Sequence, residues 1–238
     1  VAAASDASSL PLIGRDARSP VRGWMHASGV LNDSLFAEQA VGGARRTFAP
    51  KVDGALRLYD SVCHGFPLSG FALFSSIAAT LGSAGQADYS AANGTLDGFS
   101  TALSATGVPS ASLQFGAWGS IGMAVEREVI QRRIERNGLR MLEPRSTLAA
   151  VHDVLLARCS VAVRDCPVCV VNEFDWARFL ARTLQTGSSG GVPEYFSALS
   201  STVGFREPAL TLEDAAPRGP DPAGVSIGEH AVRSLVER

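Results

Sequence analysis

Lysine is almost missing from this chain: of 21 basic residues only Lys51 is lysine, and the rest are arginine. Arginine cannot stand in where a compact donor with an adjustable pKa is needed, so one retained ammonium marks position 51 for a function, chance retention being the alternative. Charge of either sign is scarce, at 18% charged residues and a net charge of −2. With no basic stripe, a nucleic-acid partner is not expected. No apolar run approaches the roughly 18 residues that a membrane helix needs, so no membrane partner is expected either. "VAAASDASSLPLIG" has neither a basic start nor a long apolar stretch, which excludes a signal peptide and points to a cytoplasmic location. The chain opens on Val rather than Met, as a piece of a longer chain would.

Cysteine is sparse as well. Cys63, Cys159, Cys166 and Cys169 do not make a disulfide framework, which suits a reducing compartment. "CPVC" (166–169) resembles a zinc half-site or a redox motif. A zinc site needs about four ligands, and no second Cys/His pair stands at suitable spacing. A redox motif should open a helix, whereas this one runs into the strand-like "VCVVNEF". The expectation is thiols in a buried strand and no metal. Also missing is a G-x-G-x-x-G turn after a strand; "GAWGSIG" (116–122) has the wrong spacing.

What is present begins with 46% apolar residues over 238 positions, enough for a real core in one large domain or two small ones. Residues 1–20 read as a loop, and "VRGWMHASGV" (21–30) as a strand (21–27) entering a glycine turn. "DSLFAEQAVGGARRTF" (33–48) is helix-like but broken at Gly42-Gly43, and Pro50 can start the next helix at its first turn. "GFALFS" (70–75) and "PSASLQFGAW" (109–118) are strands, and "DYSAANGTLDGFSTALSAT" (88–106) a helix. Helices at 125–138, stopped by Gly138, and 144–159 precede a last strand in 166–176. Alternating strand and helix mean βα units on a parallel sheet, a doubly wound α/β fold. The regime ends near 180; residues 205–226 read as a Pro/Gly-rich linker and 227–238 as a truncated helix.

On such a sheet Ser75 and Ser76 end a strand, at the edge where open α/β sheets bind ligands. Tyr89 lies in the first turn of the next helix and Asn93 one turn on, on the same face. The helix with Lys51 precedes that strand and can lie beside the Tyr helix. A hydroxyl, a phenol, an amide and an ammonium then surround one point. The set suits reversible hydride transfer to a carbonyl: Tyr89 protonates the developing alkoxide, and Ser76 donates a hydrogen bond to it. Lowering a phenol by about three units requires about 4 kcal/mol of preferential phenolate stabilisation. Lys51 and an oxidised nicotinamide could supply it. Asn93 could hold the Lys51 chain and a water. The plain alternatives are a serine pair ending a strand, an ordinary helix-start tyrosine, and a structural His26.

The segments "HASGVLNDS" (26–34), "KVDGALRLYD" (51–60), "FALFSSIAATLGSAGQADYSAANGTLDGFS" (71–100) and "SLQFGAWGSIGMA" (112–124) resemble the ketoreductase domains of modular type I polyketide synthases and animal-type fatty acid synthases. These have the Rossmann-like short-chain dehydrogenase/reductase fold. The resemblance covers roughly residues 20–200. It rests on Tyr89-x-x-x-Asn93 with lysine supplied from the preceding helix. It implies that Lys51, Ser76, Tyr89 and Asn93 are catalytic, and that Ala27, Gly29, Lys51, Tyr89, Gly116 and Trp118 meet NADPH. It implies Leu31, Asp33, Leu81, Gln86 and Met123 as substrate and stereocontrol positions. The implied substrate is a β-ketoacyl thioester on an acyl carrier protein, with neighbouring synthase domains as partners.

Leu31-Asn32-Asp33 keeps the acidic third position of the family's B-type motif, and Leu81 replaces the A-type tryptophan. Ala91 stands where epimerising forms have proline. The resemblance thus implies a non-epimerising B-type enzyme giving a D-configured (usually 3R) hydroxyl, with 119–143 as a mobile lid. It divides the chain into a loop (1–20), a ketoreductase catalytic part (21–204), the linker, and the start of an acyl carrier helix (227–238). Without the glycine-rich turn, the first three βα units are expected to be absent. The alternative reading is a truncated, non-catalytic module that scaffolds other synthase parts.

Overall fold

Four short apolar stretches pair side by side as parallel strands in chain order: β1 (Gly23–His26), β2 (Gly70–Ser76), β3 (Ser110–Phe115) and β4 (Val168–Val171). This computed structural model describes residues 22–63, 68–119, 127–159 and 166–186. Between β1 and β2 run α1 (Val41–Phe48) and α2 (Gly54–Cys63), joined by a π-helical turn (Ala49–Asp53). Between β2 and β3 lie the short α3 (Ala78–Leu81) and the long α4 (Ala87–Ala105). After β3 come α5 (Arg127–Arg136) and α6 (Pro144–Cys159), and α7 (Trp176–Thr186) follows β4.

Successive strand residues point to opposite faces, so each strand serves two layers. On one face Phe71 and Leu73 pack with Ala55 and Val62 of α2 and Leu96 and Leu103 of α4. On the other, Ala111, Leu113 and Phe115 pack with Cys169, Val171 and Val151 of α6. Phe179 and Leu180 of α7 close a third cluster over Ile77 and Leu81. Helices cover both faces, which makes the doubly wound α/β sheet. Fully buried strands need near-continuous apolar runs, and β2 supplies one. In β3 the α4-facing positions are instead Ser110, Ser112 and Gln114, all buried.

Several local readings needed correction. The helix does not break at Gly42-Gly43; α1 runs through both, and the irregular segment lies before Val41. At Gly43 a Cβ would meet the Asn32 amide at 2.7 Å, so this glycine serves close packing. Nor does Pro50 open a separate helix. It lies inside the π turn, where Gly54 N–H reaches back to Ala49 O. Proline has no N–H and crowds the preceding turn; one wider turn accommodates it without ending the helix. The residues after the last strand form α7, which the sequence reading passed over. Gly138 does stop its helix, with φ +74° and no room for a Cβ beside the Phe179 backbone. The 1–20 loop, the linker and the 227–238 helix lie outside the described residues.

Candidate active site

The carboxyl ends of the strands gather the chemistry-bearing residues. Ser76 closes β2, Ala27 and Gly29 follow β1, and Gly116 and Trp118 follow β3. Tyr89 sits in the first turn of α4 and Lys51 in the π turn. Lys51 is 4% exposed; its Nζ donates to Phe74 O at 2.9 Å and stands 5.5 Å from the Tyr89 ring centroid. A Cβ at Gly29 would meet Lys51 Cε at 3.3 Å, so glycine there leaves room for the lysine chain. Ser76 Oγ accepts the Ala78 N–H at 3.2 Å and is hydrogen-bonded to the Tyr89 side chain. Lys51 and Ser76 therefore both flank the Tyr89 side chain.

Two details differ from expectation. Asn93 does not hold the lysine: its Nδ2 donates to Tyr89 O at 2.8 Å, one helical turn back, while its Oδ1 is buried without a partner. A helix-borne amide this close to its own i−4 carbonyl satisfies that bond first. Nor is the phenol activated in this state. Burial pushes the Tyr89 hydroxyl up from its ordinary value, and side-chain hydrogen bonds to Ser76 and Asn93 only partly offset this. Lys51 is pulled down to about 8, mainly by burial, with Asp97 opposing. The groups that lower the phenol are Ser76 and Asn93 rather than the Lys51 ammonium.

The substrate-side positions divide. Asp33 accepts a 3.0 Å hydrogen bond from Gln86 Nε2, which fastens the loop after β1 to the start of α4. Leu31 lies half-buried in that loop. Leu81 is turned into the core with Ile77, Phe179 and Leu180, away from the site. Met123 lies outside the described residues, as does part of the 119–143 lid. Trp118 packs on Phe115 with centroids 5.4 Å apart, and a Cβ at Gly116 would overlap the Asn172 side chain. Cys169 lies buried within β4, and Cys166 just before it.

Three groups support the site, of which sequence reasoning missed Asp88 and Asp97. His26, read as structural, is buried and donates through Nε2 to Lys51 O at 2.8 Å, bracing the turn that carries the ammonium. Burial holds its pKa below the ordinary value. Asp88, buried at the start of α4, accepts from Thr47 Oγ1 (2.7 Å), Gln39 Nε2 (3.1 Å), Asn32 Nδ2 (3.4 Å) and the Tyr89 N–H (2.8 Å). The amide of Asn32 suits that carboxylate, where an aspartate would set two like charges together. Asp97 accepts from Ser112 Oγ (2.6 Å) and Gln114 Nε2 (2.7 Å). Its spacing, Tyr89-x-x-x-Asn93-x-x-x-Asp97, was visible as a stripe on one helix face.

Residues 2–120 match the family model described as the KR domain. Among curated relatives, polyketide synthase GfsA of Streptomyces halstedii is 34% identical over 196 residues, covering 82% of this chain and 2% of the relative. The phthioceranic/hydroxyphthioceranic acid synthase of Mycobacterium tuberculosis is 46% identical over 103 residues, 43% of this chain and 5% of its own length. The chain therefore spans a small fraction of these relatives. Among solved structures, A-type ketoreductases from a modular polyketide synthase superpose with TM-score 0.66 at 29% identity, covering 76% of this chain and 37% of theirs. The ketoreductase from the first module of phoslactomycin biosynthesis in Streptomyces sp. HK803 gives 0.63 at 30% identity, covering 76% and 41%.

Proposed function

The chain belongs to the KR domain family, and from that membership we propose that it carries the catalytic half of an NADPH-dependent reductase. Its substrate is a β-ketoacyl thioester carried on an acyl carrier protein, within a polyketide or fatty acid megasynthase. The observation that carries this reading is the convergence of Lys51, Ser76 and Tyr89 at the carboxyl edge of the sheet.

The residues fit the nicotinamide end of the cofactor. Lys51 donates to Phe74 O, and an ammonium has three donors. Asn93 Oδ1 is a buried acceptor with no partner. No residue of the chain is assigned to the pyrophosphate, because no G-x-G-x-x-G follows a strand. Bound there, NADPH supplies the hydride. The chain's own groups handle the oxygen: Ser76 Oγ donates a hydrogen bond to the ketone oxygen, and Tyr89 gives it the proton. The carbonyl C=O becomes C–H and O–H. Burial that raises the Tyr89 pKa keeps the phenol protonated near neutral pH, the form that reduction needs. Lys51 then compensates the phenolate that remains.

For stereochemistry we favour the B-type, non-epimerising outcome with a D-configured hydroxyl. Asp33 is tied to Gln86 three residues before Tyr89, and Leu81 leaves no aromatic ring at that place.

In a synthase module containing this chain, Tyr89→Phe should lower reduction of a β-ketoacyl thioester by at least about 100-fold. Retained turnover would remove Tyr89 from the mechanism. The chain by itself should bind NADPH poorly; a micromolar fluorescence titration would overturn that.

A further inference from the structure

The face of α4 that carries Tyr89 and Asn93 continues one turn further to Asp97, a carboxylate with no arginine or lysine at ion-pair distance among the described residues. Its oxygens are pinned from β3 by Ser112 Oγ at 2.6 Å and Gln114 Nε2 at 2.7 Å. Gln114 is in turn held by Thr80, whose hydroxyl donates to Oε1 at 2.8 Å. Across the sheet Gln114 is the register partner of Ser75, which also hydrogen-bonds to Asp97 and donates to Asn93 O at 3.2 Å. Ser75 directly follows Phe74, whose carbonyl holds the Lys51 ammonium at 2.9 Å. A continuous polar path thus runs from Lys51 through the β2 backbone to a fixed, half-buried carboxylate.

A buried ammonium held by one neutral carbonyl is costly, because burial penalises the charged form. The charged and titratable groups around Lys51 are few. His26 of β1 faces the turn from one side, and the Tyr89 ring covers it from α4. Asp33 acts on Tyr89 from the loop after β1, and Asp97 acts on Lys51 from α4 itself. His26 and Lys51 disfavour each other's charge, and a phenol is neutral near pH 7. Among the described residues, Asp97 is the group of opposite sign that acts on the lysine.

We propose that Asp97 is a positioning residue: the half-buried counter-charge that keeps Lys51 ionised and seated on the Phe74 carbonyl. Its place in catalysis rests on the reading of Lys51 and Tyr89 as the reductase pair, but the charge coupling does not. Burial pushes the Asp97 carboxyl up and pulls Lys51 down to about 8, and the attraction between the two partly offsets both shifts.

The lone lysine makes the test direct. Lysine labelled with 13C and 15N gives one side-chain signal in this chain, whose pH midpoint reports Lys51 alone. In the parent that midpoint lies near 8. In Asp97→Asn it should fall by about one unit, a tenfold change in the protonation equilibrium. An unchanged midpoint in folded Asp97→Asn overturns the proposal. If that variant does not fold, Lys51→Met gives the reciprocal reading: the Asp97 carboxyl midpoint must rise, and a fixed midpoint overturns the proposal equally. Turnover of the synthase module against pH then separates roles. A counter-charge moves the limb of the profile set by Lys51, whereas a merely structural Asp97 lowers turnover evenly at all pH. An inactive parent module would sink the reductase reading and leave the lysine titration as the test of coupling.

Discussion

The two sides of β3 are built on opposite principles. Toward α6, Ala111, Leu113 and Phe115 make an apolar layer with Val151, Leu142 and Val171. Toward α4, Ser110, Ser112 and Gln114 are equally buried yet wholly polar, and each finds a partner on or beside that helix. The difference teaches where stability and function separate. The α6 side is held by area and packing, which are non-directional. The α4 side is held by directed bonds that fix one carboxylate, Asp97, against β3. A fully satisfied buried network specifies geometry at some cost in stability.

The largest effect should come from the apolar side. Leu113→Ala leaves a cavity in a fully buried layer and should cost about 3 kcal/mol in denaturant unfolding. It should leave the Lys51 midpoint in place; a shifted midpoint would show that the two sides are not independent.

The next effect is in pH. Lys51 titrates at about 8 in the folded chain and near 10.5 when unfolded. Below pH 8 it is charged in both states and the penalty of burying it is complete. Above pH 8 the folded chain releases the proton first, so stability should rise with pH until the unfolded lysine titrates. Between pH 8 and 10 the gain should be about 2 kcal/mol relative to Lys51→Met, measured by paired unfolding curves. Above pH 10 Tyr89, held protonated in the fold, contributes with the opposite sign. A parent that tracks Lys51→Met throughout would refute the buried ammonium.

The smallest effect is on the polar side. Ser112→Ala removes one donor from Asp97 and should cost about 1.5 kcal/mol. It should also raise the Asp97 midpoint, since a carboxylate loses a hydrogen bond that favours its charged form. A stability loss without that rise would assign Ser112 to packing alone.

Much of this was legible in the residues. The four strands and the parallel α/β architecture followed from apolar runs and turn residues, although β1, β3 and β4 are shorter than the stretches 21–27, 109–118 and 166–176 that suggested them. What the sequence hid was finer. Hydrophobicity alone could not show that Ser112 and Gln114 face inward, because alternating polarity usually marks a solvent face. Nor could it tell that Asn93 would satisfy its own helix before reaching Lys51. The two-glycine pair looked like a break because glycine propensity is local, whereas the Asn32 amide packed on Gly43 is tertiary. Leu81 was flagged for what it replaces, and its burial among Phe179 and Leu180 depends on a helix that the sequence reading did not propose.

The π turn at Ala49–Asp53 carries one consequence beyond its proline. Each residue advances an α-helix by about 100°, so a single-residue deletion there would swing everything beyond it by that angle. Ala55 and Val62 now point at Phe71 and Leu73, while Lys51 points at Tyr89. Straightening the helix would force a choice between keeping the oily seam and keeping the amine at its post. The widened turn lets one continuous rod serve both directions.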